Sequence, residues 1–532
     1  MPSPARHSAR PKACPEHDLC AALNAGRYRA LQARDARFDG QFFTGVTSTG
    51  IYCRPVCKVR APKPENCRFF SHAALAEAAG FRPCLRCRPE LAPAAPGSPD
   101  AAWSTQDASA VLARQAAMLM EVPADGSDSP VSAASVAARL GISDRHLRRI
   151  FEAYWGTSPL RYLQTRRLLT AKQLLTDTRL PVQEVAHLSG FASVRRFNAS
   201  FIAHYRLQPG ALRRESRSPV ARSQPGRSEA GADTGFTFYA GYRPPFDVEH
   251  LLQFFAQRAL AGVEVVDLAQ LHISRSVRLQ HHGQWLQGWV SAQCVPAQNQ
   301  MRMRISLSLA PVLPWVLSRL RAWLDLDADP AAIDPVLALH FPGTEGMRVP
   351  GTVDGFELAV RAILGQQITV QAARTLTQRL VVQWGSKLQD APHGLSHCFP
   401  DALRLAQVDA GALGELGIVK QRQQAILALA RAVAEGSLTL LPGAPVGATV
   451  QALVALPGIG PWTAEYIALR ALRFPDAFPS GDVALHTALG VRKHLQAAAE
   501  AQRLSQAWRP WRGYATVRAW HLLSKSHSLS KT

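Results

Sequence analysis

The stretch Leu456-Pro457-Gly458-Ile459-Gly460-Pro461-Trp462-Thr463-Ala464, continued by an apolar segment and then Phe478-Pro479-Ser480-Gly481-Asp482, decides how the second half of the chain is read. Two glycines flanking Ile459 permit a tight turn in which backbone N–H groups approach an anion, and a helix starting near Pro461 points its positive end the same way. The preceding segment, Thr449 to Leu456, reads as a helix. The whole therefore predicts a helix-hairpin-helix whose turn, at Gly458 and Gly460, accepts a DNA phosphate. A plain inter-helix turn without a ligand needs the same two glycines. Asp482 follows on a Pro-rich loop, either as a helix N-cap or as a carboxylate that takes part in chemistry.

Working outward, 532 residues are too many for one hydrophobic core, and three or four domains are expected. The formal charge of +21 points to a polyanionic partner, and nucleic acid fits because Lys and Arg recur inside the predicted helices. Met1 to Lys12 lacks the apolar core of a secretory signal, and no run approaches the roughly 18 apolar residues of a membrane span. A cytoplasmic protein with no membrane partner is the expectation. Of nine cysteines, seven fall within the first 87 residues, a clustering that in a reducing compartment favours metal or reactive thiols over disulfides.

Cys53-Arg54-Pro55-Val56-Cys57 and Cys84-Leu85-Arg86-Cys87 form two close pairs separated by a few dozen residues, the spacing that places four thiolates around one tetrahedral zinc. Cys14, Cys20 and Cys67 have no such partner. On spacing alone the zinc is structural. Phe38-Asp39-Gly40, Thr49 to Cys57, Glu65-Asn66 and Ala79 to Cys84 together resemble the amino-terminal domain of the adaptive-response (Ada) proteins. The resemblance implies a domain that takes a methyl group from a DNA methylphosphotriester onto its first zinc-bound cysteine, and Cys53 matches that position. Zinc keeps sulfur in the nucleophilic thiolate form, and alkylating one of four thiolates removes a unit of negative charge facing DNA. Arg54, Lys58, Arg60, Arg82, Arg86 and Arg88 are candidate phosphate contacts.

After a Pro/Ala/Gly-rich linker, a helix stops at Gly141 and Ser143 caps the next, which carries Arg145, Arg148 and Arg149 outward. The pattern recurs at Gly190 and Ser193, with Arg195, Arg196 and Asn198. Two helix-turn-helix units of this kind lay basic helices in DNA grooves. Ser189-Gly190-Phe191-Ala192-Ser193 with Phe197 and Pro209 resembles the AraC family of transcription activators, which implies a promoter site and RNA polymerase as partners. A second linker then separates a regulatory from a catalytic half.

Strand-like runs (Phe236 to Tyr239, Ile273 to Leu279, Trp285 to Val290, Met301 to Leu307) alternate with helix-like ones (Val248 to Ala261, Pro314 to Leu324), an α+β pattern. With Tyr242-Arg243-Pro244-Pro245-Phe246 it resembles the small domain of the AlkA glycosylases. The remainder is helical, and Leu456 to Arg470 with Asp482 resembles the helix-hairpin-helix DNA glycosylases, closest to the AlkA branch. The resemblance implies a base pocket of Trp462, Tyr466 and Trp520, suited to cationic N-alkylated purines by cation–π attraction. It also implies Asp482 as the catalytic carboxylate. Leu364 to Thr369 matches the segment that meets DNA beside the extruded base, with Gln366 and with Gln367 where the family has a leucine wedge. Trp462 stands where glycosylase-lyases carry a Schiff-base lysine, and no cysteine follows Cys398 to build an iron–sulfur cluster.

The expected architecture is multidomain α+β and all-α. It comprises a tail (1–12), a four-cysteine zinc domain (13–91), a linker (92–107) and an AraC-type double helix-turn-helix (108–214). A second linker (215–235), an α+β domain (236–347), a helix-hairpin-helix glycosylase domain (348–525) and a tail (526–532) follow. The expected function is repair of alkylated double-stranded DNA and its regulation: hydrolytic excision of 3-methyladenine-type bases, joined to a methyl-accepting cysteine and a transcription activator. The competing reading is an activator whose carboxyl half binds damaged DNA without cutting it.

Overall fold

A computed structural model describes residues 16–94, 108–121, 131–217, 235–281 and 283–529. The expected tail 1–12, Cys14 and most of both expected linkers lie outside the described residues. After a helix at Glu16–Ala33 comes a four-stranded sheet ordered β3-β1-β2-β4, in which β1 is Phe43–Val46, β2 Ile51–Cys53, β3 Cys67–Phe70 and β4 Arg82–Pro83. Gly50, at φ +64°, turns the chain between β1 and β2. β2 runs parallel to β4, with Tyr52 opposite Pro83. That register sets the end of one cysteine pair beside the start of the other.

The two helix-turn-helix units form as the sequence predicts. The helices Ala133–Arg139 and Asp144–Trp155 meet at Gly141 (φ +68°), and Val182–Leu188 and Val194–Tyr205 meet at Gly190 (φ +80°). Ser143 accepts the His146 N–H at 3.2 Å and Ser193 the Arg196 N–H at 3.3 Å, each satisfying a donor left free at a helix start. A helix at Pro159–Asp177 joins the units and carries the four-stranded sheet's module on its side. There Lys172 pairs with Glu90 at 2.5 Å, and Arg88 bridges Glu90 at 3.0 Å and Asp177 at 2.7 Å. Two arginines proposed from sequence as phosphate contacts are thereby withdrawn. Arg88 is spent on this ion network, and Arg54 is buried against Asp39.

Five antiparallel strands follow in the order β5-β9-β8-β7-β6: β5 Gly235–Gly241, β6 Glu264–Asp267, β7 His272–His281, β8 Gln284–Val295 and β9 Gln300–Ser306. The short edge strand β6 has no alternating apolar pattern and was not expected. The helix expected to reach Ala261 ends at Ala256, and its neighbour in sequence spans Leu313–Trp323. One apolar core joins Leu168 and Leu174 of the joining helix and Phe197 and Phe201 of the second helix-turn-helix to Phe238, Ile273, Met303 and Trp323 of this layer. The expected division into two halves at 215–235 is therefore not a break in packing. From Gly355 onward the chain is largely helical, and its last helix, Arg512–Leu529, runs past the expected boundary at 525.

Lys172 is 1% exposed, so removing its carboxylate strands a buried ammonium. Glu90→Ala should cost about 3–5 kcal/mol, read as a lower unfolding midpoint of the full chain. Lys63→Ala, which breaks a pair exposed at 79% and 66%, should change stability by less than about 1 kcal/mol. Equal effects of the two substitutions would contradict the buried network.

Candidate functional site

The parallel pairing of β2 and β4 is completed by Cys84 donating its backbone N–H to the Tyr52 carbonyl at 3.0 Å. Cys53, Cys57, Cys84 and Cys87 thereby bring their sulfur atoms within 4.8 Å of one another. Tetrahedral zinc at about 2.3 Å from each sulfur requires sulfurs about 3.8 Å apart, so the cluster fits the ion. No other group of three or more potential ligands occurs among the described residues. Zinc is the cofactor, and these four cysteines are the residues that would hold it. Cys57 and Cys84 are buried, whereas Cys53 and Cys87 are partly exposed. Arg54 steadies the cluster: its backbone N–H lies 3.4 Å from the Cys87 sulfur and its guanidinium donates to the Cys87 carbonyl at 3.0 Å. Cys67 sits on β3, and its thiol faces the Lys63 carbonyl.

On the two second helices, Arg145, Arg148, Arg149, Arg195 and Arg196 are exposed and Asn198 is half-buried, while Leu147, Phe151, Phe197 and Phe201 fill the cores beneath. Arg148 is tied to Asp144 at 2.7 Å, but that pair is exposed and yields readily to a phosphate.

The hairpin forms between the helices Val446–Val454 and Pro461–Arg470. Gly458 takes φ +76°, and a Cβ there would come within 3.0 Å of Ala425. Gly460 caps the second helix and faces open space, while Ile459 is buried beneath the turn. Gln366 braces this turn, its amide lying 2.9 Å from the Gly458 carbonyl and 2.9 Å from the Thr463 hydroxyl. That amide holds the hairpin. Gln367, by contrast, is exposed in the left-handed conformation at φ +54°, on the loop before the helix Val370–Trp384.

Asp482 stands at the start of the helix Val483–Ala488 and is 9% exposed. One carboxylate oxygen accepts the Leu485 N–H at 2.6 Å and the Trp520 indole N–H at 3.1 Å; the other accepts the Trp462 indole N–H at 2.7 Å. The N-cap reading holds, and the same carboxylate also receives two indole N–H groups. Tyr466 stacks on Trp462, with ring centroids 5.6 Å apart and planes 19° from parallel, and lies 6.1 Å from Trp520. The three aromatic side chains expected to form a pocket and the expected carboxylate thus meet in one place. His486 is engaged with the Ser480 carbonyl at 2.6 Å, and Trp508 packs on Phe341.

Sequence reading missed the groups behind these rings. Arg470 donates to the Tyr466 hydroxyl at 2.5 Å, and Arg258 lies against the same phenol. Arg470, one helical turn after Tyr466, could have been noticed; Arg258, in another layer of the fold, carried no local signal.

Family profiles match four segments: the metal-binding domain of Ada over residues 26–90, a helix-turn-helix domain over 136–215, the AlkA N-terminal domain over 237–354 and the HhH-GPD superfamily of base excision DNA repair proteins over 360–513. The probable bifunctional transcriptional activator/DNA repair enzyme AlkA of Mycobacterium tuberculosis is 39% identical over 505 residues, covering 93% of this chain and 96% of that protein. The chain belongs to this bifunctional AlkA family. Two Escherichia coli proteins match its parts. DNA-3-methyladenine glycosylase 2 is 34% identical over 53% of this chain and 95% of its own length. The bifunctional transcriptional activator/DNA repair enzyme Ada is 35% identical over 28% of this chain and 38% of its own. Among the described residues no helix is long and apolar enough to cross a membrane.

Metal analysis of the full chain should find one zinc per molecule. Cys57→Ala combined with Cys84→Ala should lose it, whereas Cys67→Ala should keep it. Stoichiometric zinc in the double variant would refute the ligand set.

Proposed function

We propose that the chain repairs alkylated double-stranded DNA by two chemistries and regulates that repair. The glycosylase reading rests on Asp482, a carboxylate fastened by two indole N–H groups from different helices beside a stacked tyrosine. A base extruded from the duplex enters against Trp462, Tyr466 and Trp520, and the positive charge of an N-alkylated purine favours those π-faces by about 1–2 kcal/mol. As the bond from C1′ to the base nitrogen breaks, its electron pair neutralises the departing base. The sugar becomes cationic, and Asp482 stabilises that charge until water adds at C1′ and releases its proton to solvent. The indole N–H groups fix the carboxylate, so little reorganisation is needed when charge develops. Position 462 holds tryptophan, which forms no Schiff base, and the product is an intact strand with an abasic site. Gly458 and Gly460 anchor a phosphate, and exposed Gln367 fills the gap left in the stack.

In the amino-terminal part, Cys53 is the methyl acceptor. Bound zinc supplies a sulfur that stays deprotonated at neutral pH. The Cys53 sulfur forms a bond to the methyl carbon of a methylphosphotriester, the carbon–oxygen bond breaks, and its electron pair stays on the phosphate as a diester anion. The cysteine cluster loses one negative charge, and the basic helices bearing Arg145, Arg148, Arg149, Arg195, Arg196 and Asn198 bind a promoter more tightly and present RNA polymerase with an activator.

Asp482→Asn keeps the shape of the side chain and removes its charge. Turnover on alkylated duplex should fall about a hundredfold or more while DNA binding persists, and borohydride should trap no covalent complex. Near-normal turnover in this variant, or borohydride trapping, would overturn the mechanism. Failure of the wild-type protein to release free 3-methyladenine would favour the competing reading of a damage-binding activator.

Methylated duplex should place one methyl group on Cys53, detected by peptide mass spectrometry, and raise promoter affinity with a steep salt dependence. Methylation at another residue, or unchanged affinity, would count against this half.

A further inference from the structure

Behind the aromatic floor lies a buried charge cluster drawn from three layers of sequence. Arg361 pairs with Glu357 at 2.8 Å and with Glu264 at 3.1 Å, and Arg275 pairs with the same two carboxylates. Arg470 donates to the Pro350 carbonyl at 2.8 Å and the Gly351 carbonyl at 3.2 Å as well as to Tyr466. Arg258 and Arg470 both lie over the ring of Phe254, at 3.7 and 4.8 Å from its centroid. The remaining acid of the cluster is Asp354, whose carboxyl is pushed up to about 6 by burial and by Glu357. Four guanidinium groups thus face three carboxylates, and the surplus positive charge sits on the side where Arg470 and Arg258 meet the Tyr466 oxygen. The other charge at the pocket, Asp482, is held by the two indoles.

This arrangement opposes a cationic base, which would be driven onto the floor of the pocket with uncompensated positive charge beneath it. It also frustrates a neutral phenol. Guanidinium groups have no acceptor atom, so neither Arg470 nor Arg258 can take the Tyr466 proton. A phenolate accepts from both. Burial by itself pushes the phenol's ionisation to higher pH, but Arg470, Arg258 and Arg361 outweigh it and hold the group below the ordinary tyrosine value.

We propose that Tyr466 meets a cationic base as a phenolate held by Arg470 and Arg258, and that this ionisable floor separates charged from neutral bases. The proton leaves to solvent, the phenolate offsets the surplus guanidinium charge, and the base's own charge then faces an electron-rich ring. Tyr466 touches the base; Arg470 and Arg258 are positioning residues. The inference rests on the glycosylase reading for its consequence but not for the state of the phenol, and two measurements on the full chain keep them apart.

Tyrosinate absorbance, followed against pH in wild type and Tyr466→Phe, should show one phenol ionising below the rest that is missing from the variant. Its titration should move upward in Arg470→Met and in Arg258→Met and return toward wild type in Arg470→Lys. Identical titrations of wild type and Tyr466→Phe below the ordinary tyrosine range would overturn the proposal, whether or not the protein excises bases. The ratio of kcat/KM for a duplex containing cationic 7-methylguanine to that for one containing neutral hypoxanthine should fall about tenfold in Tyr466→Phe. In wild type the ratio should rise with pH through the Tyr466 titration, and in Tyr466→Phe it should lose that step. A ratio unchanged by Tyr466→Phe, with excision intact, would also overturn it. Absence of excision from every duplex would instead sink the glycosylase reading, leaving the titration to decide the phenol.

Discussion

A single guanidinium group holds the parts of this chain against one another. Arg243 is fully buried, and it donates to the carbonyls of Asp39 at 2.9 Å, Asp327 at 2.8 Å and Ala328 at 3.3 Å, and to that of Ala94. Its own carbonyl accepts from Arg348. Asp39 and Ala94 flank the zinc module, whereas Asp327 and Ala328 follow the five-stranded layer. A charge buried this deeply is tolerated only when its donors are matched, and the planar guanidinium meets several carbonyls at once where an ammonium could not. The carboxylate of Asp39 in turn grips Arg54, whose main chain and side chain both touch Cys87. The geometry of the metal cluster is thus continuous with the seam between modules.

The same device recurs at each junction. Lys172 and Arg88 fix the zinc module to the long helix; Arg275 and Arg361 join β6 and β7 to the helix Gly355–Leu364; Arg512 is buried against Asp476 within the last layer. Buried ion pairs of this kind are weak sources of net stability, since desolvation offsets their attraction. Their contribution is register. An apolar seam could slide by a residue with small loss, while a misplaced guanidinium would leave donors unsatisfied in the interior. The chain's arginines accordingly include some buried as fasteners and others, such as Arg145, Arg149, Arg195 and Arg196, left exposed on the second helices of the helix-turn-helix units.

This division explains which features could be read from sequence. Local chemistry was legible: the two cysteine pairs, the serine caps at Ser143 and Ser193, the glycine turns at Gly141, Gly190 and Gly458, and the alternation of β7 to β9 all carry their reason within a few residues. Trp462, Tyr466, Trp520 and Asp482 were singled out through resemblance, and their convergence brings together the second hairpin helix, the start of the helix Val483–Ala488 and the last helix. What escaped depended on distant partners. Arg54 and Arg88 looked like free cations beside metal ligands, because Asp39 and Asp177 are not visible as partners in the local sequence. β6 is held by its pairing with β7 rather than by its own pattern, and no local signal shows that the Gln366 amide folds against the hairpin. The separation at 215–235 was inferred from linker composition, which says nothing about the apolar faces on either side.

On the proposed reading, both sites deal with methylation and require opposite surroundings. At the zinc cluster the methyl carbon itself is the electrophile, so the acceptor must be a strong nucleophile that the backbone of DNA can approach. Cys53, at the end of β2, and Cys87 are partly exposed, while Cys57 and Cys84 are sheltered. In the base pocket the methyl group stays where it is, and the bond to be broken lies between sugar and base. A strong nucleophile is unnecessary there because the alkylated base is already a good leaving group; what helps is a fixed negative charge in a site shielded from water. Asp482, nearly buried and held by three N–H groups, has that character, and the indoles that hold it also form the walls against which the base stacks. Moving Asp482 would therefore disturb the walls, and replacing a wall would release Asp482. This mutual dependence ties the chemistry to the pocket's shape more tightly than either residue type does alone.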